Sequence, residues 1–335
     1  MQALQFSVTV PQWIALKGIG KFSRKAFYKG PLATVKLADQ KSPELPSRQW
    51  VRINTAMCGF CASDLNLIFL KDSPSASPFT SFPCVIGHEI CGAVAETGAD
   101  VTGLTPGDLV AIAPALSCVA REIVPPCEAC RNGLFAGCEN YAGGNLAPGM
   151  FTGICSDTSG GFASEFVAHK TQVFKLPKGF SAKQGILMEP LSVGLQAVYG
   201  NLPQKGEHVL IIGGGVIGTM ILKSIRGLDL DCRNTGADPS PAAAKAAQAN
   251  GADTVIRKRM VMRETIHLTG ARRHKPVMGP DMLTGGFARI YDTVGSSATL
   301  NMAMRCLKTG GTLSQVGIGH DAKLDLTPLW LKLQT

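Results

Sequence analysis

The feature that most constrains the fold is an apolar run that leads directly into three spaced glycines. The stretch HVLIIGGGVIGTMILKSIRGL, residues 208–228, reads as a buried strand, a turn and a helix. In such a unit Gly213 makes the tight turn, Gly215 lets a pyrophosphate approach the backbone, and Gly218 lets the helix pack on the strand. The G-x-G-x-x-G spacing in this setting predicts a dinucleotide bound at the helix N-terminus.

An acidic residue beyond the glycines bears on the choice of dinucleotide. Asp238 lies at about the spacing expected of a carboxylate that binds a ribose 2′-hydroxyl, and a carboxylate there repels a 2′-phosphate. NAD is therefore favoured, and NADP stays possible because Arg233 is close in sequence. A role for Asp238 as a helix cap only also stays open, since Asn234 and Gly236 weaken the strand before it. The predicted cofactor-binding residues are Gly213, Gly215, Val216, Ile217, Gly218, Asp238 and Val294.

The two parts of the chain differ in their patterns. Beyond residue 207, a helix in PSPAAAKAAQANGAD, a strand in ARIYDTVG, a helix in TLNMAMRCLKTGG and a strand in TLSQVGIG follow the glycine turn. This alternation predicts an α/β Rossmann domain with a doubly wound parallel sheet. The earlier part is rich in Gly, Pro and Cys with short β-like runs, which predicts a mostly antiparallel β domain. With a linking helix in MEPLSVGLQAVYG, the predicted domains are residues 1–198 and 199–335.

Composition excludes several other classes of protein. The 335 residues are 45% hydrophobic and 17% charged, as in ordinary globular proteins. Eleven cysteines are too few for a disulfide scaffold, and the opening residues lack a secretory signal, so a reduced, cytoplasmic protein is expected. The longest apolar run, residues 209–222, is shorter than the roughly 18 residues of a membrane span. The net charge of +9 comes from scattered basic residues, so we expect no nucleic-acid partner; anionic cofactors or membrane surfaces explain the charge as well.

Two cysteine- and histidine-containing motifs carry a resemblance to a known family. The C-x-x-C of CGFCASDLN, residues 58–66, is compatible with three interpretations. It could be a redox dithiol, half of a zinc knuckle, or a pair of cysteines of which only one has a chemical function. The stretch GHEICGAVAETGADV, residues 87–101, resembles the G-H-E-x2-G-x5-G-x2-V signature of zinc-dependent medium-chain alcohol and polyol dehydrogenases. CGFCASDL, GDLV, GGFASEFV and MEPLSVGLQAV extend the resemblance over nearly the whole chain, and sorbitol-type and threonine-type dehydrogenases are most similar in pattern.

The resemblance implies an architecture and an activity. It implies a GroES-like, mostly β catalytic domain joined to the Rossmann domain. It also implies an enzyme that transfers hydride between an alcohol, polyol or amino alcohol and NAD(P), with zinc as the Lewis acid. A small alcohol as substrate follows from the same resemblance. A homodimer or homotetramer is expected if the C-terminus is complete enough.

The resemblance further implies roles for individual residues. The second cysteine of the family motif C-G-x-C-x-S-D is the zinc ligand, so Cys61 is expected to bind metal and Cys58 to pack as a small hydrophobe. Ser63 matches the hydroxyl that bonds the substrate oxygen and passes its proton onward, and Asn66 stands where many members carry a relay histidine. The candidates for the roughly three protein ligands of a catalytic zinc are Cys61, His88, Glu89 and Glu189. The sequence does not decide whether Glu89 or Glu189 binds the zinc before substrate is bound.

A second group of cysteines departs from the family pattern. The family's structural zinc lobe reads C-x2-C-x2-C-x7-C, and its first position is Val124 in this chain. Cys118 or Glu122 is the candidate replacement for that missing ligand, and a metal-free lobe is the alternative. The predicted structural zinc ligands are Cys118, Cys127, Cys130 and Cys138.

The end of the chain also departs from the family pattern. Where the family continues with another Rossmann strand and a tail, this chain reads LDLTPLWLKLQT and stops at Thr335. We therefore expect an incomplete sheet with an exposed edge strand. The alternative functions are a non-catalytic dinucleotide-binding member and a zinc-free NADPH-dependent reductase, and the intact Cys61, His88 and Glu89 argue against the reductase.

Overall fold

The computed structural model describes residues 1–257, 260–318 and 321–335. The chain forms two compact units, Met1–Glu189 and Pro190–Thr335. The predicted domain limits at residues 198 and 199 fall later than this division and stay a prediction. Gly319, the last residue of the predicted strand TLSQVGIG, lies outside the described residues. Within the described ranges, no helix has the length and apolar character that crossing a membrane requires.

The first unit is mostly antiparallel β structure, as the sequence predicted. Its strands are β1 (Gln2–Phe6), β2 (Val35–Asp39), β3 (Trp50–Cys58), β4 (Cys84–Val85), β5 (Ile90–Thr97), β6 (Leu109–Ile112), β7 (Glu165–His169) and β8 (Val173–Lys175). Its helices are α1 (Val10–Ile19), α2 (Ala62–Ile68), α3 (Glu128–Arg131) and α4 (Ala182–Gly185), with 3₁₀ turns at Arg24–Phe27, Pro74–Phe79, Phe135–Gly137 and Lys170–Gln172. The strands form one sheet in the order β2-β1-β4 and another in the order β7-β3-β5-β6-β8.

The five-stranded sheet has a buried apolar face. Val51 and Ile53 of β3 point to this face because alternate residues of a strand share one side. They pack with Ile90 and Val94 of β5 and with Phe166 of β7, and all five are almost fully buried. This packing fixes the position of the segment that leads into β5.

The second unit is a parallel Rossmann sheet, which confirms the predicted fold class. The helix α5 (Met188–Gly200) runs across the division between the units. The following strands are β9 (His208–Ile212), β10 (Arg233–Ala237), β11 (Thr254–Ile256), β12 (Arg272–His274), β13 (Met282–Thr284), β14 (Phe287–Asp292) and β15 (Leu307–Gln315). The helices are α6 (Val216–Gly227), α7 (Pro241–Ala249), α8 (Val261–Thr269), α9 (Ser297–Cys306) and α10 (Thr327–Leu331). The parallel order is β11-β10-β9-β14-β15, and β12 and β13 form a separate antiparallel hairpin.

Both faces of the parallel sheet are covered. Val209 and Ile211 of β9 pack in one cluster with residues of α5, α6 and α7, whereas Leu210 and Ile212 pack in another with residues of α8 and α9. Every residue of this central strand except the first is therefore buried, which explains its unbroken apolar sequence.

Two predicted element boundaries differ from the structure. The helix predicted in TLNMAMRCLKTGG ends at Cys306, and β15 starts at the next residue, Leu307, because Leu307 is buried beside Phe287 at the start of β14. The strand β10 forms despite Asn234 and Gly236, because β9 and β11 flank it on both sides.

The expectation of an exposed edge at β15 is also corrected. The amide of Gly310 donates to Lys332 O and that of Leu313 donates to Thr335 O, both at 2.8 Å. Lys332 is buried, and its Nζ donates to the carbonyls of Arg305 and Leu307 at 2.8 Å each. Residues 332–335 therefore occupy part of the edge expected to be bare.

Candidate metal centres and dinucleotide site

Three of the predicted ligands of a catalytic metal lie together in the first unit. Cys61 caps the N-terminus of α2, and His88 and Glu89 directly precede β5. Their ligand atoms all lie within 4.8 Å of one another. A thiol, an imidazole and a carboxylate are donor types that zinc accepts, so the donor set fits this metal.

Small residues shape the backbone around this group. Gly87 has a φ of +97°, and a Cβ atom on it would lie 2.8 Å from Cys58 Sγ. A Cβ atom on Gly59 would collide with the Glu89 carboxylate, and the Gly59 amide donates to Glu89 O at 2.8 Å. Burial raises the pKa of Cys58, whose Sγ donates to Gly59 O at 3.3 Å. Cys58 therefore packs beneath the site, outside the close group of ligand atoms.

The buried Asp64 connects two members of the group. Its Oδ1 lies 3.5 Å from His88 Nδ1, and its Oδ2 accepts a 2.9 Å hydrogen bond from the Cys61 amide. Burial lowers the pKa of His88, but hydrogen bonds to Asp64 and Cys61 outweigh it and raise this pKa to about 10. A carboxylate on one ring nitrogen orients the other towards a metal, as is usual for metal-bound histidines. The C-G-x-C-x-S-D motif, of which Asp64 is the last residue, does not by itself predict this role.

Ser63 and Glu189 lie near the group without belonging to it. Ser63 Oγ is 3.4 Å from His88 Nε2. Glu189, at the start of α5, is close enough to His88, Glu89 and Asp64 to interact with their charges. Burial raises the pKa of Glu189 to about 7. Of the four predicted ligands, the structure gathers Cys61, His88 and Glu89, and it leaves Glu189 outside the set of mutually close atoms.

The second cysteine group also comes together. The sulfur atoms of Cys118, Cys127, Cys130 and Cys138 all lie within 4.8 Å of one another. Val124, at the family's first ligand position, is 89% exposed, and the Glu122 carboxylate instead bonds the Ser47 hydroxyl. The structure therefore brings Cys118, and not the Glu122 carboxylate, to the other three sulfur atoms.

Hydrogen-bond donors surround these sulfur atoms. Cys118 Sγ accepts from the Cys127 amide at 3.3 Å and from Asn140 Nδ2 at 3.2 Å. Cys138 Sγ accepts from the Asn140 amide at 3.3 Å. Backbone hydrogen bonds lower the pKa of Cys127 to about 7. Thiolates are the form that binds zinc, so this donor set fits a tetrathiolate site.

A buried arginine holds the loops beside the cysteines. Arg121 is fully buried, and its guanidinium donates to five backbone carbonyls. The acceptors, at 2.6–3.2 Å, are the carbonyls of Leu116, Gly143, Leu146, Ala147 and Gly149. A guanidinium carries five N–H groups, so each is used. A single Arg in a loop carries no motif, so this role of Arg121 cannot be predicted from the sequence.

The glycine turn of the second unit requires glycine at two of its three predicted positions. Gly213 has a φ of +98°, and a Cβ atom on Gly218 would collide with Gly213 O. By contrast, a Cβ atom on Gly215 would meet nothing within 4 Å. Packing therefore requires two of these glycines, whereas Gly215 borders open space at the N-terminus of α6. That open space beside free helix amides fits a pyrophosphate.

Asp238 lies at the same end of the sheet as the glycine turn. Its Oδ2 accepts from the Gly214 amide at 2.7 Å, and its Oδ1 accepts from the Ser240 amide at 2.8 Å. Ser240 is the N-cap of α7, so Asp238 is not that cap. Arg233 is the first residue of β10 and approaches His208, at the opposite end of a strand roughly 16 Å long.

The other predicted cofactor residues differ in exposure. Val216 and Val294 are about half exposed, whereas Ile217 packs against the core cluster around Ile211. The Val294 amide donates to the buried Asp292 Oδ1 at 2.9 Å. The side chain of Ile217 therefore supports the sheet.

Comparison with known families gives two matches. Residues 47–178 match the alcohol dehydrogenase GroES-like domain, and residues 216–335 match the zinc-binding dehydrogenase family. An L-idonate 5-dehydrogenase of Vitis vinifera is 29% identical over 83% of this chain and 69% of its own length. A sorbitol dehydrogenase of Arabidopsis thaliana is 28% identical over 83% of this chain and 70% of its own length. A galactitol 1-phosphate 5-dehydrogenase of Escherichia coli K12 is 32% identical over 56% of this chain and 48% of its own length.

Solved structures show the same fold. The alcohol dehydrogenase TADH from Thermus sp. ATN1 has a TM-score of 0.72 at 22% identity and covers 100% of this chain and 83% of that one. The galactitol-1-phosphate dehydrogenase from Escherichia coli has a TM-score of 0.70 at 23% identity, and the match covers 100% of this chain and 82% of that one.

Proposed function

Because the chain belongs to the zinc-dependent medium-chain alcohol and polyol dehydrogenases, we propose that it oxidises a secondary hydroxyl of a polyol with NAD. The observation that carries this proposal is the close group of Cys61, His88 and Glu89, with Asp64 behind the imidazole. The names of the relatives support a polyhydroxylated substrate, since idonate, sorbitol and galactitol 1-phosphate all carry several hydroxyl groups.

Different residues of the first unit would have different roles at the reacting hydroxyl. Cys61, His88 and Glu89 would hold a catalytic zinc, and Glu189 is a further carboxylate within charge range of them. When bound, zinc supplies Lewis acidity that lowers the pKa of a hydroxyl, and NAD supplies the hydride acceptor. The Ser63 hydroxyl lies beside His88 and would take the proton. Asn66 has no titratable group, so it would not act as the proton relay that a histidine supplies at this position in many family members.

The residues of the second unit would hold the dinucleotide. The amides at the start of α6 would bind its phosphates, with Gly213, Gly215 and Gly218 allowing the approach. The Asp238 carboxylate has lone pairs beyond the two that accept backbone amides, so it would also accept ribose hydroxyls. This arrangement favours NAD over NADP.

The remaining proposals concern the lobe, the assembly and the location. Cys118, Cys127, Cys130 and Cys138 would hold a second, structural zinc. A homodimer or homotetramer rests on the family resemblance, and a cytoplasmic location rests on a cysteine content too low for a disulfide scaffold. Sedimentation of the purified protein tests the assembly.

The test of the proposed function is an NAD-linked screen of purified protein, combined with zinc analysis. Sorbitol and related polyols should be oxidised faster than simple secondary alcohols such as 2-propanol. Cys61→Ala should lose turnover together with the zinc of that site. Full activity in Cys61→Ala would remove the zinc mechanism, and wild-type protein that binds NADH without oxidising any alcohol would favour a non-catalytic role.

A further inference from the structure

The connection between the first two strands is unusually long. Phe6 of β1 and Val35 of β2 are antiparallel partners, yet residues 7–34 lie between them. Strands paired in this way are commonly joined by about 2–5 residues, and much longer loops usually have a function. We call residues 7–34 the β1–β2 insertion. It lies outside both family matches, which cover residues 47–178 and 216–335.

The inner side of the β1–β2 insertion is firmly packed. Leu16 and Phe27 are buried in the cluster around Phe6. Gln12 Nε2 donates to Leu32 O at 2.8 Å, and Lys17 Nζ donates to Leu70 O at 2.6 Å. The insertion is therefore a folded part of the first unit with a defined outer surface.

The outer surface carries large apolar side chains. Val10 is 74% exposed, Ile14 62% and Phe22 93%. Val10 and Ile14 are four residues apart on α1, so they stand one above the other on the same side of the helix. Exposed apolar side chains that lie side by side, as Val10 and Ile14 do, usually mark an interaction surface.

The β1–β2 insertion is also strongly basic. The first 38 residues contain six Lys or Arg and no acidic residue, in a chain whose net charge is +9. Four of these side chains, Lys21, Arg24, Lys25 and Lys29, are exposed around Phe22. Across residues 1–257, 260–318 and 321–335, the ion pairs found involve none of these four.

We propose that the β1–β2 insertion binds the surface of an anionic lipid bilayer. Its apolar side chains would enter the boundary between headgroups and acyl chains, while the cations contact the lipid phosphates and carboxylates. Each Lys or Arg near such a surface strengthens binding about fivefold. A bilayer fits better than nucleic acid because Val10 and Ile14 offer aliphatic surface, which inserts into lipid but does not stack on bases.

Sedimentation of the full-length protein with lipid vesicles tests this proposal. Phosphatidylcholine vesicles that contain phosphatidylserine should bind the protein at low salt, and phosphatidylcholine vesicles alone should bind it much less. The variant K21Q/R24Q/K25Q/K29Q should weaken binding by more than about 100-fold, and high salt should have a similar effect. Phe22→Ser, which changes no charge, should weaken it by about tenfold.

A matched control removes four exposed lysines elsewhere. The variant K178Q/K183Q/K223Q/K245Q has the same change in net charge and should bind the vesicles like the wild type. Equal loss in both quadruple variants would show that net charge alone is responsible and would overturn the proposal. So would absence of vesicle binding by the wild type at low salt, or tighter binding to a single-stranded oligonucleotide than to the vesicles. Turnover with a polyol, measured in parallel, keeps this test separate from the proposed function.

Discussion

At the scale of single residues, one carboxylate can fix a loop and select a ligand. Asp238 accepts hydrogen bonds from the amides of Gly214 and Ser240, which holds the glycine turn against the start of α7. The same charge would attract ribose hydroxyls and repel a 2′-phosphate. The hydrogen bonds that hold the loop can be separated from the effect of the charge on the ligand. An Asn side chain at position 238 would retain an acceptor for these hydrogen bonds but would lose the charge.

We predict that Asp238→Ala weakens NADH binding by about 2 kcal/mol, or ~30-fold, because a charged acceptor is lost. Asp238→Asn should lose less NADH affinity and should gain affinity for NADPH. Fluorescence titration with both nucleotides measures the difference. A wild-type protein that prefers NADPH would contradict the role given to Asp238.

A buried histidine in the first unit should make stability depend on pH. His169 is fully buried against Trp50, and its Nδ1 accepts a hydrogen bond from the Thr171 amide. Burial lowers the pKa of His169 to about 4, assisted by the charge of Lys170. The unfolded chain takes up a proton near pH 6.5 and the folded chain does not, so stability falls as the pH drops through this window.

The expected loss of unfolding free energy from His169 is about 2 kcal/mol between pH 7 and pH 5. His169→Asn should reduce this pH dependence by that amount, because the amide keeps an acceptor but does not titrate. Urea unfolding at both pH values gives the comparison, with His267→Asn at an exposed position as the control. An unchanged pH dependence in His169→Asn would contradict the role of burial.

At the scale of elements, the cysteine lobe shows how a fold can gather four sulfur atoms although one cysteine lies at a different position in the sequence. The segment from Cys118 to Cys127 is longer than the family spacing, yet it returns Cys118 to the other three sulfur atoms. Arg121, within this segment, bonds the carbonyls of the loop that contains Leu146 and so fixes the return. The site therefore depends on loop packing as well as on sequence spacing.

Cys118→Ser should release one zinc per chain and lower the melting temperature, because a bound structural zinc adds to folding stability. The zinc at Cys61 should remain. Metal analysis before and after the change measures the loss. Cys84→Ser, at a buried cysteine outside both metal-ligand groups, is the control and should cost packing energy without loss of zinc. Wild-type protein with a single zinc would rule out the tetrathiolate site.

The elements that could be predicted from the sequence are those with a strong local pattern. The glycine turn, α6 and the parallel sheet follow from periodicity and glycine spacing, whereas the start of β15 at Leu307 depends on burial against β14. The close group of Cys61, His88 and Glu89 follows from family motifs. Cys118 could be proposed from the sequence but could not be decided against Glu122, since its placement depends on where a long loop folds back.

At the scale of the whole molecule, the two kinds of site are built by different units. The two candidate metal-ligand groups lie within residues 1–189, and the glycine turn and Asp238 lie within residues 190–335. Changes at sites that share no partners usually have additive effects. Loss of one site should therefore leave binding at the other intact.

Cys61→Ala should keep the affinity for NADH within about twofold of the wild type, even though turnover is lost. Removal of zinc from the wild type with a chelator should likewise abolish turnover and leave the affinity for NADH unchanged. Fluorescence titration of NADH in each sample makes the comparison. A large loss of NADH affinity in Cys61→Ala would show that the two units depend on each other for cofactor binding.

The contact of the last residues with β15 has a consequence for hydrogen exchange. The amides of Gly310 and Leu313 are protected only while residues 332–335 accept their hydrogen bonds. The amides of β9, in contrast, are protected by the centre of the sheet. Deuterium uptake at Gly310 and Leu313 therefore reports local detachment of the C-terminal residues, separately from global unfolding.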